Sequence, residues 1–383
     1  MGEFAIIGAG DRSYLGQVIS KVDPRSVVSD VVDPFESGKR RAREMFGDQV
    51  RVHDTIADLL ATRQHLGTPL DGALVTSPDA VHFEHASALL KAGVTTYLEK
   101  PMSIQTEDAD ALLRLADETG TRLFVGHNMR FMGVIGILKK LIDEGRIGAV
   151  QAIWCRHFVG FGGDAYFRDW HAEQRYGNTL LLQKGAHDID VIHYLAGGYT
   201  RRVQAFGRLA VFGDTVDREP SHGLDWVDRR PMTNWPPREL TGLNADLDME
   251  DLAQVNMMLD NGILASYQQC HFTPDYWRNY TVIGDLGRIE NFGDGEGGVV
   301  KLWNRRVNMA YEADEEFPIT GDFGGHLDAD EKIISEFLDY AYGRIDHTRV
   351  PSAAARNAVA TGVSAAWSMR HDGVPVDVQP AKG

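Results

Sequence analysis

The first 126 residues repeat one pattern, in which a short apolar run ends at a turn and a longer amphipathic run follows. Short β-branched runs are typical of buried strands, and the longer runs are typical of helices. The predicted strands cover residues 3–8, 27–32, 50–52, 71–76, 94–98 and 122–126, and the predicted helices cover residues 14–20, 37–46, 56–60, 81–91 and 106–118. Strands that alternate with helices form a parallel sheet. The pattern therefore predicts a doubly wound α/β domain over residues 1–126.

A glycine turn joins the first predicted strand to the first predicted helix. Gly8 and Gly10 open this turn, and Arg12, Ser13 and Tyr14 complete it. Glycines permit close approach to a pyrophosphate, and the N-terminus of the following helix supplies unpaired N–H donors. Ser13 stands where the usual fingerprint has its third glycine, so the motif is weak by itself. We predict a dinucleotide-binding turn, and hence a Rossmann domain.

Asp33 follows the second predicted strand and lies 33 − 10 = 23 residues after Gly10. A carboxylate at this distance accepts hydrogen bonds from the adenosine ribose and repels a 2′-phosphate. The spacing favours NAD over NADP, although Arg12 could offset the repulsion, so NADP is not excluded. The alternative is a turn aspartate before Pro34.

Glu99, Lys100 and Pro101 end the fifth predicted strand. Proline pushes the residue before it into an extended conformation, so the backbone of Lys100 is held at the strand end. Ligands of parallel sheets bind outside the carboxyl ends of the strands. We therefore predict that Lys100 meets a bound molecule, and the alternative is an ordinary surface lysine.

Residues 127–383 show a different pattern, with longer strands and a hairpin turn at residues 260–262. The predicted strands cover residues 150–158, 201–212, 252–259, 263–271, 280–284, 288–292 and 299–303, and the predicted helices cover residues 133–144, 185–195, 328–342 and 352–370. This arrangement predicts an α+β domain with a large, open, mostly antiparallel sheet and helices on one face. The irregular stretch 213–247 has the length of a functional or oligomeric segment.

Lys184, His187 and Asp190 are spaced three residues apart at the start of a predicted helix, so they share a face. A cation, an imidazole and a carboxylate on one face could handle protons and sugar hydroxyls. The alternative is a capped helix start with a solvated polar face.

The segment 161–171 alternates aromatic and polar residues and includes Tyr166, Arg168, Trp170 and His171. Such a segment suits a carbohydrate, whose apolar face stacks on rings, and the alternative is a surface loop that buries its aromatic side chains. The histidines at 157, 171 and 187 lack the close spacing of metal ligands, so we predict no metal. Arginines at 156, 168 and 175, with His157, suggest an anionic group on the substrate.

A net charge of −16 gives no indication of a nucleic-acid or anionic-membrane partner. No apolar run is long enough to span a bilayer, and no signal core follows the N-terminus. The two cysteines, Cys155 and Cys270, lie in strand-like runs and suggest free thiols in a reducing cytoplasm.

Taken together, these motifs resemble the Gfo/Idh/MocA oxidoreductases, which include glucose–fructose oxidoreductase and inositol dehydrogenase. The matching pieces are Gly8 with Gly10, Asp33, Thr76 to Pro78 with His82, Glu99 to Pro101, Asn128 to Phe131, and His187 to Asp190. The resemblance implies that Lys100 helps to move the proton of the reacting hydroxyl, that His187 is its partner, and that Asp190 holds substrate hydroxyls. It also implies a cis bond between Lys100 and Pro101, and homodimers or homotetramers formed through the open sheet face.

These arguments give a set of predicted site residues. The predicted catalytic residues are Lys100, His187 and Lys184. The predicted cofactor-binding residues are Gly8, Gly10, Arg12, Ser13, Tyr14, Asp33, Thr76, Ser77, Pro78, His82, Glu99, Lys100 and Asn128, of which Ser77, Pro78 and Asn128 would line the nicotinamide side. The predicted substrate-binding residues are Arg130, His157, Tyr166, Arg168, Trp170, His171 and Asp190.

Gln183 departs from the family pattern, because many members have an aspartate four residues before the histidine. An amide cannot take up or release a proton, so the usual relay is altered here. Lys184 follows Gln183, and two lysines near one site are expected to depress each other's pKa.

Three functions agree with the sequence. The leading hypothesis is an NAD-dependent oxidoreductase that acts on a secondary hydroxyl of a sugar, cyclitol or sugar derivative. The second is an NAD-dependent glycosidase that oxidises C3 transiently, eliminates the aglycone, adds water and is reduced again. The third is a non-catalytic NAD(P)-binding regulator.

Overall fold

The computed structural model describes residues 2–226, 235–306, 311–321 and 327–381. The strands between residues 2 and 125 form a parallel sheet. The strands are β1 (Gly2–Ile7), β2 (Ser26–Val32), β3 (Arg51–His53), β4 (Gly72–Val75), β5 (Thr96–Leu98) and β6 (Leu123–Val125). They lie in the order β3-β2-β1-β4-β5-β6, and every pair is parallel. The connecting helices are α1 (Leu15–Val22), α2 (Glu36–Phe46), α3 (Ile56–Leu66), α4 (His82–Lys91) and α5 (Thr106–Thr119). The predicted doubly wound sheet is confirmed.

The strand order reverses direction at β1, whose neighbours are β2 on one side and β4 on the other. The chain therefore leaves β1 and β4 toward opposite faces, and a crevice opens at their carboxyl ends. The glycine turn after β1 and the residues after β4 and β5 meet at this edge. Apolar side chains on both faces of the strands are buried, and this packing holds the carboxyl ends of the strands in place.

The strands between residues 150 and 377 form a nine-stranded sheet that is mixed but mostly antiparallel. Its strands, with the separate pair β9 and β10, are β7 (Val150–Val159), β8 (Thr200–Arg208), β9 (Arg218–Glu219), β10 (Leu243–Asn244), β11 (Leu252–Leu259), β12 (Leu264–Cys270), β13 (Tyr276–Gly284), β14 (Arg288–Phe292), β15 (Val299–Trp303), β16 (Glu315–Pro318) and β17 (Val376–Asp377). The order is β16-β15-β14-β13-β7-β12-β11-β8-β17, and β7 with β12 is a parallel pair among antiparallel ones. The predicted open sheet is confirmed.

Helices cover one face of this sheet. The α-helices described after residue 126 are α6 (Gly133–Asp143), α7 (Gly162–Tyr166), α8 (Gln174–Gly177), α9 (Leu180–Gln183), α10 (Gly185–Ala196), α11 (Leu327–Ala341) and α12 (Ser352–Arg370). Among them, α6, α10 and α12 pack against the sheet. Helix α10 packs on the central strands β7 and β12, and α12 packs on β8 and β17 at one edge of the sheet. The opposite face exposes Trp154, Phe206 and Leu264, each more than half accessible to solvent. The sheet is therefore open on that side within the described chain.

Two predicted strands differ by four residues at one end from the strands of the structure, and the others differ by one or two residues at most. The strand predicted to reach residue 212 ends at Arg208, because the Asp251 carboxylate accepts hydrogen bonds from the backbone N–H groups of residues 210–212. Those three N–H groups therefore do not donate to a neighbouring strand, and the strand ends before them. Strand β13 begins at Tyr276, four residues before the predicted start at 280. Of the irregular stretch 213–247, residues 227–234 lie outside the described residues.

The last two helices return to the first half of the chain. Phe337 of α11 packs edge-on against Phe4, Tyr97 and Phe124, with ring centroids 6.1, 5.4 and 5.7 Å away. Arg356 of α12 is buried and forms a two-pronged ion pair with Asp110 of α5. Both predicted domains thus share packing, and the predicted boundary between residues 126 and 127 stays a prediction.

In the described part of the chain, no helix is long and apolar enough to cross a bilayer. Cys155 and Cys270 are both free thiols.

Replacing Phe337 with alanine is expected to lower the free energy of unfolding by about 3–5 kcal/mol, because the change leaves a cavity among buried rings. Chemical denaturation of the whole chain measures this loss. Leu286→Ala is the matched control, since Leu286 is 67% exposed and its truncation should cost no more than about 0.5 kcal/mol. Equal stability of the two variants would contradict the packing described here.

Candidate functional site

The glycine turn presents its backbone toward the crevice. Gly8 has a φ of +92°, and a Cβ there would lie 2.5 Å from Ser77 Cα, so only glycine fits. The Thr76 hydroxyl donates to the Gly8 carbonyl oxygen at 2.7 Å and joins the ends of β1 and β4. At Gly10 a Cβ would find no atom closer than 3.8 Å. The turn is therefore tightly packed at Gly8, while a Cβ at Gly10 would make only ordinary van der Waals contacts with Thr76 and Trp226.

Asp33 stands at the end of β2, where its carboxylate organises the neighbouring backbone. Its Oδ2 accepts from the Ala9 N–H and its Oδ1 from the Phe35 N–H, at 2.8 and 2.9 Å. Burial raises the pKa of this carboxyl above its ordinary value, and the two backbone donors oppose that shift. A Cβ at Gly38 would lie 2.2 Å from the carboxyl carbon. The carboxylate is fixed at the position where a Rossmann site binds the adenosine ribose.

Arg12 is held by two carboxylates from distant parts of the chain. Its Nη1 and Nη2 donate to Asp330 at 2.8 and 3.0 Å, and its Nε donates to Glu99 Oε1 at 2.9 Å. Asp330 is fully buried on α11 and also accepts from the Tyr14 hydroxyl and from Asn128 Nδ2. These bonds occupy Arg12, so the guanidinium is not directed at a 2′-phosphate beside Asp33.

Several predicted cofactor residues use their side chains to support the crevice. The Ser13 hydroxyl donates to the Gly10 carbonyl at 2.6 Å. His82 bridges two loops, with ring nitrogens 2.7 Å from the Pro101 carbonyl and 2.8 Å from the Ser77 carbonyl. Ser77 contacts His85 at 2.9 Å. Direct contacts from these residues to a cofactor, including those expected of Pro78 and Asn128, stay predictions.

Lys100 reaches the start of the helix that carries His187. Its peptide bond to Pro101 is cis, as the resemblance implied, and its Nζ donates to the Gln183 carbonyl oxygen at 2.9 Å. Burial lowers the pKa of Lys100 to about 8, and the positive charges of Lys184 and Arg12 act in the same direction. Asp79 and Glu99 oppose that shift. Lys100 is therefore neutral in part near physiological pH, and its neutral fraction grows as the pH rises through about 8.

Lys184 lies between two tyrosine rings. Its Nζ donates to the Tyr276 hydroxyl at 3.0 Å and lies 5.5 Å from the Tyr166 ring centre. Burial alone would raise the pKa of Tyr276, but Lys184 and Arg278 lower it to about 8. The expected mutual depression of the two lysines holds for Lys100 and is wrong for Lys184. Although burial lowers the pKa of Lys184, the nearby tyrosines raise it above its ordinary value.

His187 is buried on α10, and its ring lies 6.1 Å from that of His127 between centroids. Arg130 donates to both oxygens of Asp190, from Nε at 2.8 Å and from Nη2 at 2.6 Å. Burial opposes ionisation of Asp190, yet Arg130 holds the pKa of that carboxyl below its ordinary value. Asp190 and Arg130 thus position one another. Contacts from either residue to substrate hydroxyls stay predictions.

A buried network supports the site from below. Asp188 accepts from Tyr267 at 3.0 Å and Tyr280 at 2.5 Å, and its Oδ2 lies 3.0 Å from His157 Nδ1. Burial and Arg278 lower the pKa of His157 to about 3, so this imidazole is neutral. The structure places His157 inside this network, and its predicted contact with substrate stays a prediction.

The aromatic segment 161–171 lies beside the lysines. The Trp170 and His171 rings stack at 3.6 Å between centroids, and Tyr166 meets His171 edge-on at 5.4 Å. Arg168 is tied to the segment itself, since it donates to Asp164 at 2.9 Å and to the Thr241 carbonyl. The structure therefore places Tyr166 beside Lys184, with His171 packed against Tyr166, and the Arg168 guanidinium is bound by other residues of the protein.

Sequence reasoning missed two groups of this site. Tyr276 begins β13, and the alternation of Tyr276, Arg278 and Tyr280 was the signal for an earlier start of that strand. Asp79 follows β4 and is buried, and burial raises the pKa of its carboxyl while His82, Lys100 and His171 oppose the rise. Its position one loop away from Lys100 follows from the pairing of β4 with β5.

No group of three or more histidine, cysteine, aspartate or glutamate side chains is arranged to hold a metal ion within the described ranges.

Comparison with known proteins gives two family models. Residues 3–127 match an oxidoreductase family with an NAD-binding Rossmann fold. Residues 136–290 match the GFO/IDH/MocA C-terminal domain. Together the two models cover the crevice, the Lys100 strand end and the helix that carries His187.

The sequence identity to individual relatives is low and covers only part of the chain. The chain is 28% identical over 228 residues to a 2,7-anhydro-N-acetylneuraminate hydratase of Mediterraneibacter gnavus, which covers 56% of each chain. It is 28% identical over 152 residues to an inositol 2-dehydrogenase of Rhizobium meliloti, which covers 39% of this chain and 43% of that one. Both alignments span less than two thirds of the relative's own length.

A solved oxidoreductase from Agrobacterium radiobacter, in complex with NAD+, L-tartaric acid and magnesium, has a similar fold. Its TM-score is 0.73, its identity is 15%, and the superposition covers 98% of both chains. At this identity the likeness supports the architecture alone.

Replacing Asp330 with asparagine is expected to destabilise the chain by about 3 kcal/mol, because a buried ion pair loses one charge. The same change should weaken binding of NADH, because the glycine turn loses the anchor of Arg12. Chemical denaturation and fluorescence titration measure the two effects. Glu331→Gln is the control on the same helix, since its exposed pair with Lys21 should contribute at most about 1 kcal/mol. Matching behaviour of the two variants would contradict the supporting role of Asp330.

Proposed function

This chain belongs to the GFO/IDH/MocA family of oxidoreductases, and from that premise we propose that it oxidises a secondary hydroxyl of a sugar, cyclitol or sugar derivative with NAD. The observation that carries the proposal is the hydrogen bond from Lys100 Nζ to the Gln183 carbonyl. This bond joins the strand end beside the glycine turn to the start of α10. A proton-accepting amine is thereby held between the dinucleotide crevice and the helix that bears His187.

The residues present fit NAD. The glycine turn at Gly8 and Gly10 suits the diphosphate, and the fixed Asp33 carboxylate suits the ribose hydroxyls. When bound, the nicotinamide supplies the redox chemistry by accepting the hydride. The protein's own task is to hold the sugar carbon beside that ring and to take up the hydroxyl proton.

Lys100 is the group proposed to accept that proton. Its pKa of about 8 leaves a neutral fraction that can act as a base near physiological pH. On proton uptake the new ammonium stays bonded to the Gln183 carbonyl, and Asp79 and Glu99 favour its charge. His187 is proposed as the partner acid/base, and in the reducing direction Lys100 returns its proton to the carbonyl oxygen.

Lys184 and Tyr276 form a second proton-handling pair in this proposal. Their hydrogen bond and the lowered pKa of Tyr276 leave a phenol that titrates in the same range as Lys100. Gln183 cannot titrate, so this pair offers proton capacity that the altered relay lacks. The rings of Tyr166, Trp170 and His171 are proposed to stack on the sugar.

The open face of the second sheet supports a homo-oligomer. Trp154, Phe206 and Leu264 are exposed there, and aromatic and aliphatic side chains of this size are favourable in a symmetric contact. We propose a homodimer or homotetramer through this face, in the cytoplasm, with a small carbohydrate as the substrate.

A redox-neutral reaction is the second candidate function. The similarity to a hydratase of an anhydro sugar and the extra titrating pair favour it. In this version the sugar is oxidised transiently, an elimination and addition of water follow, and the hydride returns. Incubation with NAD and a panel of sugars and glycosides separates the candidates, because only the first gives net NADH. Tight NAD binding with neither reaction would instead favour a regulator.

Replacing Lys100 with alanine is expected to lower kcat/KM by about 10²–10⁴-fold, the range for loss of a general base. NADH binding should stay within a few-fold of the wild type, since the dinucleotide turn keeps its anchors. Steady-state kinetics and fluorescence titration measure both. Lys91→Ala removes an exposed lysine and serves as the control. Unchanged turnover in Lys100→Ala would show that the proposed role is wrong.

Replacing Lys184 with methionine tests the electrostatics of the site through pH. A lowered pKa means that Lys100 becomes neutral as the pH rises through about 8, so the oxidation rate should rise there. Removal of the Lys184 charge relieves repulsion, favours protonated Lys100 and raises its pKa. The rising limb of kcat/KM should therefore move to higher pH in Lys184→Met. A limb that stays in place, or moves to lower pH, would contradict this arrangement.

A further inference from the structure

A segment from the second half of the chain lies against the cofactor crevice. Residues 215–226, here called the strap, end beside the glycine turn. Trp226 Nε1 donates to Asp11 Oδ1 at 3.1 Å, and its indole lies 3.9 Å from the position of a Cβ at Gly10. The Ser37 hydroxyl donates to the carboxylate of Asp225. The strap therefore touches both the diphosphate turn and the loop after β2.

Asp225 brings a second negative charge to the ribose corner. Ser37 lies four residues after Asp33, in the first turn of α2. The Asp225 carboxylate, held by Ser37, is close enough that it adds to the effect of burial in raising the pKa of Asp33. Two acids from opposite halves of the chain thus face the place of the adenosine 2′ position.

Three of the four groups around this corner that could hold a 2′-phosphate are bound to carboxylates, and the fourth, Arg41, stacks on a ring while its Nε has no hydrogen-bond partner among the described residues. The Ser37 hydroxyl binds Asp225, and Lys39 pairs with Glu36 and Asp54 at 2.9 and 2.5 Å. The Arg41 guanidinium carbon lies 4.3 Å from the centre of the Trp226 ring. Arg12 is bound to Asp330 and Glu99. The partners of two of these four groups, Asp225 for Ser37 and Trp226 for Arg41, belong to the strap.

We propose that the strap completes the adenosine half of the cofactor site, and that Asp225 is a specificity-determining residue that selects NAD against NADP. The ribose hydroxyl of NAD is neutral and can donate to a carboxylate. The phosphate of NADP carries negative charge and meets two carboxylates, while the Ser37 hydroxyl is already bound to Asp225. The inference rests on the proposed function only in that the crevice binds a nicotinamide dinucleotide.

Trp226 has a separate role in this proposal. Its indole lies between Arg41 and the glycine turn and forms a wall beside the diphosphate. A wall excludes water from the charged contacts below it and strengthens them. This contribution does not depend on the 2′ group, so it should act on NAD and NADP alike.

The test measures dissociation constants of NADH and NADPH for the whole chain by fluorescence titration, without any turnover. In Asp225→Asn the preference for NADH over NADPH is expected to fall by about three- to tenfold, the effect of one charge near a partly exposed phosphate. NADH affinity itself should change by less than about threefold, because the amide keeps its bond to Ser37. Asp225→Ser is the second variant, and it should show the same loss of preference.

Asp214→Asn is the matched control. Asp214 precedes the strap, is exposed and pairs with Arg238, so its loss removes the same charge away from the crevice. An equal preference in Asp225→Asn, Asp225→Ser and Asp214→Asn would overturn the assignment of Asp225. Failure of the wild type to bind either dinucleotide would instead overturn the cofactor assignment on which the proposed function depends.

The variant Trp226→Ala tests whether the indole completes the cofactor site or blocks it. Loss of the wall should weaken NADH and NADPH by similar factors and leave the preference unchanged. Tighter binding of NADH in this variant would show that the indole blocks the crevice, and the proposal for the strap would then be wrong.

Discussion

The buried carboxylate of Asp330 is the constraint on which the cofactor half of this structure depends. It accepts bonds from Arg12, Tyr14 and Asn128, which come from the glycine turn and from the loop after β6. Bonds between charged groups out of water are stronger than neutral ones, and loss of one partner leaves an uncompensated charge. The last part of the chain thereby fixes the conformation of the first turn. Glu99 extends the same network to Lys100, through Arg12 and through the Lys100 N–H.

The same electrostatic logic governs the catalytic side. Burial makes a charged Lys100 unfavourable, and Lys184 adds repulsion, while Asp79 and Glu99 limit the effect. Lys184 keeps its own charge because it lies between tyrosines and bonds to Tyr276. One lysine is thus prepared to change protonation state near neutral pH and its neighbour is prepared to stay charged. This difference follows from their surroundings, since the two side chains are chemically identical.

The sequence predicted the features that depend on local pattern. Period and turn residues were sufficient for the alternating strands, the hairpin at residues 260–262 and the glycine turn, and the alternation was sufficient for a parallel doubly wound sheet. Asp330 and Asp79 carried no local signal, and the strand pattern at Tyr276 did not indicate its hydrogen bond to Lys184, because these roles come from contacts between distant segments or across strand ends. The position of the strap could not be predicted either, because an irregular segment is located only by its contacts with the rest of the chain. Arg12 is a different case. Its side chain, predicted to bind the cofactor, donates to the carboxylates of Asp330 and Glu99, and no spacing in the sequence indicates these contacts.

The most direct test of the central claim is a crystal structure of the chain with NAD and an oxidisable sugar. The account predicts that the diphosphate lies above Gly10 and that Lys100 Nζ lies within about 2.6–3.2 Å of the reacting oxygen, the distance at which a base takes a proton. The His187 imidazole should face the same carbon from α10. A dinucleotide excluded from the glycine turn, or a sugar whose reacting oxygen lies in a cavity apart from Lys100, would contradict the account.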